Sequence, residues 1–104
     1  MSDAIIIGTT PTIKYKFRVV DVSTITTAIL TVEKNGRNIV KRNMSTATVG
    51  EDFLSWDLTQ EETLRIGRGG ATIMINWLTL NGKRGASAEA PIRMDDNHIK
   101  EVIT

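Results

Sequence analysis

Residues 26–41, Thr26-Thr27-Ala28-Ile29-Leu30-Thr31-Val32-Glu33-Lys34-Asn35-Gly36-Arg37-Asn38-Ile39-Val40-Lys41, decide the fold. Ala28, Leu30 and Val32 fall on one face of an extended chain, with Thr27, Thr31 and Glu33 on the other. Successive side chains alternate across a strand, so this period of two predicts a half-buried strand over 26–34. Asn35-Gly36 then predicts a two-residue hairpin, because both central residues of a type I′ turn need positive φ. Strand 37–43 returns antiparallel, with Lys34 opposite Arg37 and Val32 opposite Ile39.

The same period recurs on both sides. Ile13, Tyr15, Phe17 and Val19 share a face and Lys14, Lys16 and Arg18 the opposite one, which predicts a strand with one wet side. Thr9-Thr10-Pro11 separates it from Ile5-Ile6-Ile7 and marks a kink or edge where the first strand changes sheets. Residues 44–51 read as a loop. Leu54, Trp56 and Leu58 point inward from a strand over 53–58. Thr59-Gln60-Glu61-Glu62 is a capping box, in which the Thr hydroxyl and the Glu carboxylate each satisfy a free backbone N–H. It predicts one short helix near 60–65, ended by Gly67 and crossing between two sheets.

Gly69-Gly70 releases the longest strand, 71–80, with Ile73, Ile75 and Trp77 on one face. Asn81-Gly82 predicts a second type I′ hairpin, with Trp77 opposite Ala86, Ile75 opposite Ala88 and Ile73 opposite Ala90. Large residues then face small ones, as interdigitating packing requires. Pro91 places the far end of strand 83–94 on a sheet edge. The tail, 95–104, is polar and then apolar. It is read as a last helical turn or a short strand docked on the body or on a partner.

The expectation is an all-β, immunoglobulin-like antiparallel β-sandwich of about seven strands, forming a single domain over 1–104. The 104 residues suffice for one modest core. Net charge is +1, without the basic excess of most nucleic-acid binders. There is no cysteine, which excludes disulfides and thiolate chemistry. Ile5–Ile7 is too short for a signal-peptide core, and no apolar run approaches a membrane helix. A soluble chain without a cleavable signal is expected, with no membrane and no nucleic acid among its partners.

No chemical constellation emerges, so no catalytic, cofactor-binding or metal-ligating residue is assigned, and the protein is read as not an enzyme. His98 is the single histidine and lacks partners. Asp95-Asp96-Asn97 lacks the alternating oxygens, Gly and distal Glu of a calcium loop. Gly67-Arg68-Gly69-Gly70 precedes a strand rather than a helix, so it reads as a turn and not a phosphate cradle. Glu51-Asp52, Glu61-Glu62, Asp57 and Glu89 read as solvated surface. The basic residues Lys14, Lys16, Arg18, Lys41, Arg42, Lys83 and Arg84 read as surface and edge protection. Trp56 and Trp77 sit at core-facing positions; exposed, they would make a sugar platform.

With the strands placed, the chain resembles short structural proteins of phages and prophages of low-GC Gram-positive bacteria, akin to the N-terminal domain of phage upper baseplate proteins. The resemblance rests on Gly8-Thr9-Thr10-Pro11 leading into Ile13-Lys14-Tyr15-Lys16-Phe17, then Ala28-Ile29-Leu30-Thr31-Val32. It continues through Leu54-Ser55-Trp56-Asp57-Leu58-Thr59-Gln60-Glu61-Glu62-Thr63-Leu64 to Ile75-Asn76-Trp77-Leu78 and Asn81-Gly82. It implies a virion structural module of tail or baseplate, assembled in the host bacterial cytoplasm. Its partners would be other tail or baseplate proteins and copies of itself, and it needs no cofactor. It transfers no catalytic residue. Longer members carry further parts beyond the position of Thr104, so the expected role is assembly rather than host attachment. The alternative is a carbohydrate-binding or adhesion module of a bacterial or phage surface protein.

Overall fold

The computed structural model describes residues 4–104. They form β1 (Ile5–Ile6), β2 (Thr12–Lys16), β3 (Ile25–Lys34), β4 (Arg37–Asn43), β5 (Thr48–Val49), β6 (Phe53–Asp57), α1 (Gln60–Ile66), β7 (Gly69–Thr79), β8 (Arg84–Ala86) and β9 (Ala90–Asp95). One sheet runs β1-β9-β7-β3-β4, with β8 also on β7; the other runs β2-β6-β5. The all-β sandwich is as expected, and the Pro11 break does separate a strand of one sheet from a strand of the other. The described strands number nine rather than about seven, because β1 and β5 are two-residue pieces and residues 84–95 form two strands instead of one. One pair, β1 with β9, is parallel in an otherwise antiparallel set.

The first hairpin forms as its sequence dictates. Asn35 and Gly36 both take positive φ, 54° and 79°, and Lys34 opposes Arg37. A bulge between Val32 and Glu33 then shifts the ladder by one, so Val32 faces Val40 rather than Ile39. The shift brings Val40 inward beside Val32 and leaves Ile39 half-buried. The second hairpin departs from expectation. Only Gly82 has positive φ, and it donates to Thr79 O while Thr79 N–H donates to Lys83 O. This is a three-residue loop with glycine at the left-handed position, and Asn81 needs no strained backbone.

That longer loop moves the register, so Trp77 opposes Gly85 and Asn76 opposes Ala86, while Ile73 still meets Ala90. The mismatch is absorbed at 87–89. Ile75 N–H donates to the Ser87 side-chain hydroxyl at 2.9 Å, where a backbone carbonyl would otherwise accept. Ser87 N–H returns to Ile75 O at 2.8 Å.

The core lies between the sheets. Ala28, Leu30 and Val32 of β3 meet Leu54 and Trp56 of β6, with Val40, Ile73, Ile75 and Met94 around them. Each fully buried Leu contributes about 1.5–3 kcal/mol over an exposed one. Trp56 is 0% exposed, and its indole N–H donates to Asn43 O at 2.9 Å. Among the described residues every buried side-chain nitrogen and oxygen has a partner.

The capping box builds α1 as expected. Thr59 Oγ1 accepts from Glu62 N–H, and Glu62 Oε1 accepts from Thr59 N–H at 2.9 Å. The helix closes the outer edge of β4, where Arg65 donates to Ile39 O and Arg42 reaches Glu62. Covering an edge with a helix is one way a sheet avoids unwanted pairing.

Candidate functional site

The expected strand over 13–19 ends at Lys16, and this sets up the most exposed apolar feature of the surface. Ile13, Tyr15 and Phe17 point inward, with Phe17 buried. Val19 does not join them: it is 97% exposed. The reason is Asp21, whose carboxylate accepts from the N–H and hydroxyl of Ser23 and starts a single 3₁₀ turn over Val22–Thr24. The turn takes Val22 into the core and leaves Val19 on the preceding bend. The two hydrogen bonds from Ser23 hold the Asp21 carboxyl below the ordinary carboxylate range.

Three rings meet at this end of the sandwich. Tyr15 and Phe17 stand edge-to-face with centroids 4.8 Å apart, and Phe17 and Trp77 do the same at 4.9 Å. Tyr15 and Trp77 lie tilted at 5.9 Å. Such geometries set the positive ring edge against a negative face. Gly85 permits the arrangement, since a Cβ there would lie 2.5 Å from the Trp77 indole. Trp77 is half-buried, not the core residue its alternation suggested. The rings line a groove of about 520 Å³ with Lys16, Arg18, Val19 and Val20.

Beside the groove runs the outer edge of β2, which among the described strands pairs only with β6. Leu58 N–H donates to Pro11 O, and Phe17 N–H to Asp52 O. In an antiparallel ladder these bonds alternate, so odd-numbered residues face β6. The backbone groups of Thr12, Lys14 and Lys16 therefore point away from the sheet. Lys14 Nζ sits 4.2 Å from the Phe53 ring centroid, and Lys16 pairs loosely with Asp52 at 3.7 Å. Across the fold, Pro91 lies on a part of β9 paired to β7 alone, an edge as its residue type foretold.

The other residues weighed in the sequence take structural places. His98 is exposed. Asp95 pairs with Arg93, and Asp96 pairs with Lys100 at 3.2 Å. The Lys100 hydrogen bond lowers the Asp96 carboxyl from its usual value. Asn97 donates to Ile7 O, which fastens the tail. Gly67 and Gly69 take positive φ in a turn that Lys34 fills, donating to Ile66 O at 2.8 Å and Arg68 O at 2.7 Å. Glu62 corrects the expectation of a solvated pair, because it is buried against Arg42 while Glu61 stays exposed. Arg42 is half-buried beside Glu62, which breaks up the expected basic surface. Among the described residues no three of His, Cys, Asp and Glu converge as a metal cage, and no helix is long and apolar enough to cross a membrane.

The fold and this surface define an all-β sandwich with an open strand edge beside an aromatic groove. No protein-family model matches the chain, and no curated protein matches it. Its fold is similar to that of CopC from Methylosinus trichosporium OB3b, with a TM-score of 0.57 over 94% of this chain and 89% of that one. At 12% sequence identity the likeness extends to the sandwich fold alone.

Proposed function

We propose that the chain is a non-enzymatic structural module of a phage or prophage tail or baseplate, working in the virion through protein–protein contacts. The observation that carries the reading is the free edge of β2, with outward backbone groups at Thr12, Lys14 and Lys16 and the bare Val19 at its end. Aligned, unpaired amides and carbonyls are a ready template for another chain. The outer edge of β4 carries α1, whereas the outer edge of β2 has no partner among the described strands. Exposed Ile99, Val102 and Ile103 on the tail give copies of the chain a second surface for self-association. The resemblance to phage tail and baseplate proteins supplies the partner class.

Size-exclusion with light scattering, alone and with the products of neighbouring genes, tests this. Oligomers or a complex with a tail protein are expected. A strict monomer at high concentration that ignores those proteins sinks the reading.

The half-open Trp77 ring favours a second reading, a cell-wall carbohydrate or adhesion module. Its mark is a tryptophan emission that shifts on adding cell-wall sugar.

A further inference from the structure

The three-stranded sheet does not cover the six-stranded one. At one side, β6 sits over β4, where Trp56 bonds to Asn43 O and Arg42 donates to Asp57 O. At the other side, β2 sits over β7, where Tyr15 and Phe17 pack against Trp77. The large sheet continues past β7 into β8 and β9, and among the described strands none pairs with the outer edge of β2.

Ala71, Ile73 and Ile75 of β7 and Met94 of β9 stay buried, but burial of core-facing side chains is lower toward one end of these strands. Leu30, Leu54 and Trp56 are fully buried. Ile13, Tyr15, Trp77 and Ile92 are only half-buried, and Ala90 is exposed. Along β9 alone the core-facing residues pass from buried Met94 through Ile92 to bare Ala90. These apolar positions form a partly exposed strip among the described residues.

We infer that β2 and this strip form a slot for one added strand, donated by another protein as an extended segment with apolar side chains on one face and acidic ones on the other. The inference deepens the assembly reading and rests on it. The backbone groups of Thr12, Lys14 and Lys16 hydrogen-bond the donor. Its apolar face covers Trp77 and Ile92, and its acidic face lies beside Lys14 and Lys16.

Charge decides the donor's chemistry. Directly opposed residues on neighbouring strands lie on the same face. A second copy of β2 in a two-fold antiparallel pair sets Lys14 against Lys14 or Lys16, and like charges so placed repel. Asp52 only partly offsets this, being 3.7 Å from Lys16 with both groups exposed. An acidic donor turns the same lysines into partners.

The test uses the full isotope-labelled chain titrated with a short synthetic peptide alternating valine and aspartate, and with its valine–lysine counterpart. The acidic peptide is expected to shift the Trp77 indole N–H signal and slow amide exchange at Thr12, Lys14 and Lys16 by about tenfold. Lys14→Pro removes an N–H that the β6 ladder does not use, so it keeps the sheet and abolishes binding. Joint Lys14→Glu and Lys16→Glu reverses the preference between the peptides, and this arm decides the matter should Lys14→Pro fail to fold.

Equal binding of both peptides, no binding, shifts confined to another edge, or a folded Lys14→Pro that binds unchanged overturns the slot. Assembly with tail proteins that survives Lys14→Pro overturns the slot and leaves the assembly reading standing. Peptide binding by a chain that stays monomeric and ignores tail proteins supports the slot and removes the assembly reading.

Discussion

Arg42 donates to Glu62 Oε1 at 2.7 Å, with side chains 18% and 12% exposed, and so joins the large sheet to the helix over its edge. The same Glu62 oxygen accepts Thr59 N–H, and the same Arg42 nitrogen reaches Asp57 O. One ion pair thus fixes β4, the end of β6 and the start of α1 together.

Removing one partner leaves the other charge nearly buried and unmatched. Arg42→Ala is expected to lower stability by about 2–4 kcal/mol, seen as a lower urea midpoint with an unchanged slope. Joint replacement of Arg42 and Glu62 by methionine recovers part of that loss. A double variant as weak as the single one would contradict this account.

Lys34 supplies donors to two carbonyls in the turn after α1. Lys34→Met keeps the aliphatic stem and loses both bonds, at a cost of about 1–2 kcal/mol. Hydrogen exchange should quicken at Gly67–Gly70 before it does so in β3. Uniform quickening across the sheet would locate the effect elsewhere.

At Gly85 the backbone lies against the Trp77 ring. Gly85→Ala is expected to push the indole outward, costing about 1–3 kcal/mol and shifting emission to the red. Trp56, enclosed and bonded to Asn43, keeps its blue component. Iodide should quench only the Trp77 part in the parent protein. Quenching of both tryptophans alike would refute the placement.

The Asp96 carboxyl is held low by Lys100, so Lys100→Ala should raise its pKa toward the ordinary 3.8. A depressed folded pKa stabilises above the unfolded value, and that contribution fades as pH falls through the folded one. Carboxyl chemical shifts followed from neutral to acid pH report the change directly. An unmoved titration would mean that Lys100 is not the cause.

Much of the fold was legible because local chemistry and global architecture agree. Asn35-Gly36 and Thr59–Glu62 name their turn and helix outright, and the alternation at Ala28, Leu30 and Val32 survives burial. Misreadings arose where a side chain took over a backbone task or where a pattern ran past its cause. Ser87 accepts a ladder bond with its hydroxyl, which no periodicity records. Val19 continues the alternation of β2 in sequence, yet the strand stops at Lys16 and the chain bends over 18–20 into the turn that Asp21 caps; an Asp followed two residues later by Ser was the available signal. Asn81-Gly82 predicts a two-residue type I′ turn, and the three-residue loop that forms instead moves Trp77 from Ala86 to Gly85. The half-buried state of Trp77 depends on how far one sheet overhangs the other, a relation among distant segments. Glu62 was rightly assigned to its cap, while its bond to Arg42 needed the third dimension.

The parallel pairing of β1 with β9 has a mechanical consequence. Ile5 and Ile6 run beside Met94 and Asp95 in the same direction, and Ile7 N–H donates to Asp95 O. Tension entering before β1 and leaving after β9 slides the two strands past each other, so their cross-links share the load and give way together rather than unzipping in turn.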